Sequence, residues 1–161
     1  MQTLDDFLFK KLDIHELKPR LHKTMLFRTL SSSELDLVIK YAQLRSFRAG
    51  EHVFFEGDRG SALFIILKGA VQIVRRLKGK HASLAKLSDG MFFGELALVY
   101  DTPRTATAVI TEDSLLVCLF KHDLDDLVKH YPALGKKILA IVNEIMAQRI
   151  SLLTKRTRKR T

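Results

Sequence analysis

Apolar positions along the chain change their spacing twice, and these changes divide it into helical, strand-rich and again helical parts. Residues 1–30 show an irregular helical pattern. Ser31 and Glu34 have the spacing of a capping box, and Leu30 and Leu35 have the spacing of the hydrophobic staple that fixes the entry to a helix. The apolar residues that follow recur at helical steps. We therefore expect an amphipathic helix to start at Ser31.

After the first helices, the chain alternates between short apolar pieces and glycine breaks. The pieces are rich in Val, Ile and Phe, which is typical of strands joined by tight turns. The predicted turn glycines are Gly50, Gly57, Gly60, Gly69, Gly79 and Gly90. Strands this short, closing on themselves, favour a sandwich or jelly-roll barrel. We predict an α+β fold, an antiparallel β-roll or jelly-roll barrel with flanking N-terminal helices and C-terminal lid helices.

Helical spacing returns at the C-terminal end. Asp123 is predicted to cap one helix, and Pro132 suits the first turn of the next. The last helix, from about Pro132 to Leu153, has an apolar stripe. The stripe contains Leu134, Ile138, Ile141, Val142, Ile145, Met146, Leu152 and Leu153, and Arg149 lies beside them. Such a helix must bury its stripe against its own barrel, a ligand or a second copy of the chain. A homodimer through this helix is therefore one prediction.

These patterns predict four regions. They are an N-terminal helical segment (1–30), a β-roll domain (31–131), a C-terminal lid or dimerisation helix (132–153) and a basic tail (154–161). The tail holds five of the 27 basic residues, in a chain whose net charge is +9. It is a candidate contact for nucleic acid or anionic lipid, and the alternative is a solvated helix end.

The composition narrows the functional classes. No apolar run reaches the roughly 18 residues of a membrane span, and no secretory signal is evident. The single cysteine, Cys118, leaves no disulfide framework, so we expect a cytoplasmic protein. The six histidines have no metal-ligand spacing, and no Walker loop is present, so we expect no enzyme activity.

The segment FGELALVYDTPRTAT (93–107) carries the most specific chemistry. It predicts a short helical turn and then a loop from which Arg104 enters a strand. A helix N-terminus attracts an anion, and an Arg can hold two phosphate oxygens at once. Glu95 would repel a phosphate unless it accepts a hydrogen bond from a hydroxyl, as in a ribose. The alternatives are a surface Arg104 paired with Asp101 or Glu112, and a Glu95 that only stabilises a helix end.

This segment closely resembles the phosphate-binding cassette of the cyclic nucleotide-binding domain family. The stretch AGEHVFFEGDRGSALFIILKGAVQIV resembles the opening strands of that family, and the resemblance runs from about Leu26 to Tyr131. It implies that Glu95 accepts from the ribose 2′-hydroxyl, helped by the backbone at Gly94, and that Arg104 pairs with the exocyclic phosphate oxygens. The backbone N–H groups implied to complete the phosphate cradle are those of Leu96, Ala97 and Thr105.

The resemblance also implies a ligand and a mechanism. Cyclic AMP is the favoured ligand and cyclic GMP the second, because Thr105 can contact a guanine or merely add a hydrogen bond to the phosphate. No cofactor beyond the nucleotide is expected. The last helix is predicted to close over the base and to signal to an effector protein that the sequence does not identify. The apolar lid residues are Ile138, Ile141, Val142 and Ile145, and Arg149 can instead stack on the base as a cation.

Two other functions stay open at this point. The chain can be the sensor half of a DNA-binding regulator or of a channel, with its output domain outside this sequence. It can also be a barrel that binds no nucleotide and serves only as a dimerisation module. The presence of both Glu95 and Arg104 argues against the second.

Overall fold

The computed structural model describes residues 14–99 and 101–158. Its elements are α1 (Ile14–His22), α2 (Ser32–Tyr41), β1 (Gln43–Phe47), β2 (His52–Phe54), β3 (Ala62–Leu77), β4 (Lys80–Ser88), β5 (Phe92–Phe93), α3 (Leu96–Val99), β6 (Thr107–Phe120), α4 (Lys121–His130) and α5 (Pro132–Arg158). The first 13 residues of the predicted N-terminal segment and residues 159–161 of the predicted tail lie outside the described residues.

All six strands belong to one antiparallel sheet. Its main order is β1-β6-β3-β4, with β2 also paired to β6 and β5 to β3. The long strands β3 and β6 pair from Ala62–Phe120 to Val74–Thr107, and the register shifts between Ile66 and Val71. Such irregularities bend a sheet, which allows this one to curl into a roll. The predicted α+β fold with flanking helices is confirmed.

The roll separates two hydrophobic cores because successive side chains of a strand point to opposite faces. From β3, Leu63 and Ile65 pack into the core that the sheet shares with helices α1, α2, α4 and α5. Phe64 and Ile66 point into the other core, inside the roll. There the rings of Phe64 and Phe93 stack with their centroids 5.3 Å apart. The inner core supports the wall on which the candidate site is built.

The starts of helices α2 and α4 can be compared with the caps that the sequence predicts at Ser31 and Asp123. The capping box is confirmed, because the Glu34 N–H donates to Ser31 Oγ (3.2 Å) and the Ser31 N–H donates to Glu34 Oε1 (3.0 Å). The predicted cap at Asp123 is wrong. Strand β6 runs directly into α4, so the helix starts at Lys121 with Phe120 at the cap position. Asp123 lies in the first turn, where a carboxylate still suits the positive end of the helix.

Helix α5 starts at Pro132, as predicted, but continues past Leu153 to Arg158. The described part of the basic tail is therefore helical. Lys137 Nζ donates to Glu34 Oε1 (3.0 Å) and so ties α5 to the first turn of α2. In the described ranges, no helix is long and apolar enough to cross a membrane.

Candidate functional site

A cavity of about 420 Å³ lies between the sheet, the segment after β5 and helix α5. Its strand side is apolar and is formed by Phe54, Ile73, Ala85 and Leu87. All six predicted ligand-binding residues also line it, namely Gly94, Glu95, Leu96, Ala97, Arg104 and Thr105. The volume lies in the range of small-molecule pockets, which typically combine an apolar lining with a few polar groups.

Arg104 is the buried charge of this cavity, with only 9% of its surface exposed. Its Nη1 donates to the carbonyl of Gly94 (3.2 Å), and its Nη2 donates to the carbonyl of Ala62 (2.8 Å). The guanidinium carbon lies 4.0 Å from the ring centroid of Phe54, within cation–π distance. Within the described residues, the buried Nε has no hydrogen-bond acceptor. Nη1 and Nη2 are therefore hydrogen-bonded to the protein backbone, whereas Nε is not hydrogen-bonded to any described residue.

The turn before β3 holds Arg104 in place. The Arg104 N–H donates to the Asp58 carbonyl (2.7 Å), and the Gly57 N–H donates to the Arg104 carbonyl (2.8 Å). Space for the guanidinium depends on two glycines. A Cβ added at Gly60 would lie 2.0 Å from Nε, and one added at Gly94 would lie 2.7 Å from Nη1. Unlike the other five predicted turn glycines, Gly60 does not have a positive φ. We conclude that it is required for space rather than for its backbone conformation.

The electrostatic setting of Arg104 favours an anionic partner. Burial lowers the pKa of Arg104, and the negative charges of Asp58 and Glu95 partly oppose that shift. In the part of the chain that the structure describes, no carboxylate lies within 4.0 Å of its nitrogen atoms. The alternative of a surface Arg104 paired with Asp101 or Glu112 is therefore wrong. A buried cation without an ion pair is destabilising, and an anion at Nε would offset this.

Glu95 and Arg149 form an ion pair across the cavity. Arg149 Nη1 donates to Glu95 Oε1, while Nη2 donates to the Phe92 carbonyl (3.3 Å). The Arg149 guanidinium carbon lies 4.8 Å from the Phe92 ring centroid. Among the residues that the structure describes, the charged side chains that line the cavity are two cations, Arg104 and Arg149, and one anion, Glu95. The lining has a net charge of +1.

The turn after Glu95 is short. Helix α3 is a single turn of four residues, and the Ala97 N–H donates to the Gly94 carbonyl (3.3 Å). An incoming anion would compete with that carbonyl for this N–H group. Thr105 is exposed and follows Arg104 along the cavity lining.

Comparison with known proteins identifies the architecture around this cavity. The family model for the cyclic nucleotide-binding domain matches residues 44–131, which include the cassette and most of the sheet. The chain belongs to the cyclic nucleotide-binding domain family. This is a family of ligand-binding sensor domains.

Relatives of this cyclic nucleotide-binding domain occur in several larger proteins. The chain is 36% identical over 118 residues to the cyclic AMP receptor protein of Thermus thermophilus, covering 73% of this chain and 55% of that protein. It is 34% identical over 104 residues to a cGMP-dependent protein kinase of Plasmodium berghei, covering 65% of this chain and 12% of the kinase. The chain therefore spans about half, or much less, of the curated relatives it matches.

A solved structure supports the fold over nearly the whole chain. A cyclic nucleotide-binding domain from Methylobacillus flagellatus superposes with a TM-score of 0.80 at 25% sequence identity. The superposition covers 98% of this chain and 86% of that one.

The predicted lid residues divide into two groups in this cyclic nucleotide-binding domain. Ile138 and Val142 are fully buried in the core between the helices and the sheet, and Ile141 and Ile145 pack against the same core. None of these four lines the cavity, whereas Arg149 does. Helical periodicity predicts that a stripe is buried, but not which surface covers it. A role of these four residues in covering a base stays a prediction.

Sequence reasoning missed two features of the site. The first is the apolar wall formed by Ile73 from β3 and by Ala85 and Leu87 from β4. Its sequence signal is weak, since Ala85 and Leu87 merely have the two-residue spacing of one strand face. The second is the contact of Arg149 with Glu95, which lies 54 residues earlier. No local pattern indicates a contact over such a distance.

Proposed function

We propose that this domain binds a 3′,5′-cyclic nucleotide monophosphate in the 420 Å³ cavity, with cyclic AMP preferred over cyclic GMP. The observation that carries the proposal is the buried Arg104 Nε, which has no acceptor within the described residues. Buried polar groups are nearly always hydrogen-bonded, and in this proposal a ligand supplies the acceptor for this N–H. An exocyclic phosphate oxygen is such an acceptor.

The charges that line the cavity support a monoanionic ligand. A cyclic phosphate diester carries one negative charge, and the lining has a net charge of +1 from Arg104, Arg149 and Glu95. A ligand with one negative charge therefore neutralises the site. Without Arg149, Glu95 would cancel the charge of Arg104 and oppose the phosphate. Arg149 thus has an electrostatic role in binding, even where it does not touch the nucleotide.

Glu95 is proposed to hold the ribose. A carboxylate has two oxygens and about four acceptor positions, and Arg149 contacts Oε1. The remaining positions can accept from a 2′-hydroxyl while the ion pair persists. Glu95 would then contact the nucleotide and helix α5 at the same time. This double contact is our proposed route for the signal, in which the nucleotide changes the position of α5 through its differential affinity for two positions of the helix.

The base is proposed to lie against the apolar wall of Ile73, Ala85 and Leu87. The preference for cyclic AMP is supported by the similarity to a protein named a cyclic AMP receptor protein. A relative named for cyclic GMP makes that nucleotide the second candidate. Thr105 lines the cavity next to Arg104, so its hydroxyl is placed to act on the phosphate or on a guanine.

The wider setting of the domain is also a proposal. The chain spans 55% of the Thermus receptor protein, which is consistent with the sensor part of a larger regulator. A homodimer through α5, an effector protein, a nucleic-acid or lipid contact of the basic tail and a cytoplasmic location stay predictions from the sequence. A dimerisation module that binds no nucleotide is the competing function, and the titrations below exclude one or the other.

Substitution of Arg104 tests the proposed phosphate contact. We expect Arg104→Gln to weaken cyclic AMP binding by about 30-fold or more, because truncating one partner of a buried charge pair costs roughly 2–5 kcal/mol. Arg104→Lys keeps the charge and loses the paired N–H donors, so its affinity should be intermediate. Calorimetry measures the affinity, and circular dichroism checks the fold.

The matched control is Arg48→Gln, which removes an exposed arginine outside the cavity lining. A second arm compares cyclic AMP with its 2′-deoxy analogue on the wild-type protein. Wild-type affinity in a folded Arg104→Gln protein would overturn the phosphate contact. Equal affinity for the two nucleotides would overturn the ribose contact of Glu95.

A further inference from the structure

The hairpin formed by β3 and β4 ends in a tight, strongly basic tip. Its last pair is Leu77–Lys80, and the two turn residues, Lys78 and Gly79, have φ of +50° and +77°. Positive φ at both central residues is typical of the tight two-residue turns whose twist matches that of the flanking strands. Residues 75–80 contain four cations and no acid.

The strand register distributes these cations over both faces of the hairpin. Arg76 pairs with His81 on one face, while Leu77 and Lys80 share the other. Glu56 is the carboxylate that contacts this region, with its Oε1 3.8 Å from Arg75 Nε. It also accepts from the Arg76 N–H through Oε2 (3.2 Å). The side chains of Arg76, Lys78 and Lys80 form none of the ion pairs found in the described residues.

Exposed apolar side chains accompany the cations. Among the side chains that the structure describes, the most exposed large apolar ones are Phe55 (53%), Leu84 (52%) and Leu77 (47%). Leu77 and Leu84 belong to the hairpin, and Phe55 lines one groove together with Glu56, Arg76 and His81. Several large exposed apolar side chains on and beside one hairpin usually mark an interaction surface.

We infer that this end of the domain docks on an anionic lipid bilayer. The hairpin patch consists of Phe55, Arg76, Leu77, Lys78, Lys80 and Leu84. Apolar side chains that enter the interface and cations that meet anionic headgroups are the combination that holds peripheral proteins on membranes. The apolar side chains of the hairpin patch then contact the bilayer interface, and its cations contact the anionic headgroups.

A nucleic acid fits the hairpin patch less well. Its phosphates would bind the cations, but its backbone offers no partner to Leu77 and Leu84. Stacking of bases needs exposed aromatic faces. The ring of Phe55 already stacks on His52, with the centroids 4.5 Å apart and the planes at 15°. The exposed leucines therefore favour the bilayer.

The hairpin patch is separate from the nucleotide cavity, because none of its six residues lines that cavity. Binding to a bilayer is therefore independent of the proposed nucleotide function. Each can fail without the other.

Co-sedimentation of the full chain with vesicles tests the inference. We expect binding to phosphatidylcholine vesicles that contain about 30% phosphatidylserine, much weaker binding to phosphatidylcholine alone, and a loss of binding in high salt. Arg76→Gln combined with Lys78→Gln should weaken binding by about 25-fold, at about fivefold for each cation. Leu77→Ser should weaken it by about tenfold, since it removes a buried apolar contact with the lipid.

Two matched variants separate the hairpin patch from charge in general. Lys40→Gln with Lys136→Gln removes two exposed cations from α2 and α5, and we expect it to bind like the wild type. Neutralising Lys155, Arg156 and Arg158 to Gln tests the basic end of α5, and the hairpin dependence should persist in that background. The inference is overturned if anionic vesicles are not bound, or if the folded hairpin variants bind like the wild type. It is also overturned if the hairpin variants lose binding to a DNA duplex while vesicle binding is unchanged.

Discussion

The position of the Arg104 side chain depends on two glycines, which have no functional side chain of their own. Its guanidinium lies between Gly60 and Gly94, and any side chain at either position would overlap it. The sequence motif marks Arg104 as a candidate phosphate ligand. The need for Gly60, 44 residues earlier, becomes evident only when the turn before β3 is placed against the cassette.

Gly60→Ala is expected to weaken cyclic AMP binding by about tenfold or more, which corresponds to about 1.4 kcal/mol of binding free energy. The new Cβ would lie 2.0 Å from Arg104 Nε, so the guanidinium must move from its place in the cavity. The backbone at Gly60 does not require glycine, so the effect should come from this overlap. Overpacking also lowers the free energy of unfolding, by roughly 1–3 kcal/mol.

Calorimetry on protein shown to be folded separates the two effects of this substitution. Ser61→Ala, at the exposed neighbouring position, is the control and should leave the affinity unchanged. Tight binding by Gly60→Ala, at the wild-type level, would show that Arg104 does not need its present position.

At the level of elements, local sequence signals predict the starts of α2 and α5 but not the start of α4. The capping box at Ser31 and the proline at 132 act within one turn of their helices. The start of each helix is therefore determined by residues that are adjacent in the sequence. Helix α4 starts where β6 ends, and the Lys121 N–H donates to the Ser61 carbonyl (2.7 Å). That start is fixed by a tertiary contact, which overrides the capping preference of Asp123.

Glu34 should make stability depend on pH. The N–H of Ser31 lowers the pKa of Glu34 below its ordinary value of 4.5, and Lys137 adds to this. A depressed folded-state pKa means that the stabilisation is complete above about pH 4.5 and is lost as the pH falls through the lower folded value. Glu34→Gln keeps a capping acceptor and removes the charge, so we expect a loss of about 0.5 kcal/mol at neutral pH.

Urea unfolding at pH 7 and at pH 3 measures this effect. The difference between the wild type and Glu34→Gln should shrink at the lower pH. Glu144→Gln, on the exposed face of α5, should show no comparable difference. An equal difference at both pH values would mean that the charge of Glu34 contributes nothing to stability.

Arg149 links helix α5 to the cavity, and its removal should affect binding through charge. Arg149→Gln takes the lining from a net charge of +1 to neutral and releases Glu95. We expect affinity for cyclic AMP to fall by about fivefold, as for the loss of one partly exposed charge interaction at about 1 kcal/mol. The dependence of affinity on salt should decrease as well.

Titrations over a range of salt concentrations measure both quantities. Lys155→Gln removes an exposed cation from the same helix and is the control. Tighter binding by Arg149→Gln would mean that Arg149 competes with the nucleotide for Glu95 rather than supporting it.

For the molecule as a whole, the sequence predicted one side of the cavity and not the other. The cassette from Gly94 to Thr105 is contiguous in the chain, so its motif can be recognised from the sequence alone. The opposite wall and Arg149 come from β3, β4 and α5, which meet only in the folded chain. Helical periodicity predicts the apolar stripe of α5. It does not predict that Leu134, Ile138 and Val142 of this stripe pack into the core between the helices and the sheet.

The most direct measurement is a calorimetric titration of the wild-type protein with cyclic AMP and then with cyclic GMP. The protein should first be unfolded, freed of nucleotide and refolded, because a nucleotide carried through purification would mask binding. We expect one nucleotide per chain, micromolar or tighter affinity for cyclic AMP, and weaker affinity for cyclic GMP. Folded protein that shows neither heat nor a thermal shift with either nucleotide would contradict the proposed function.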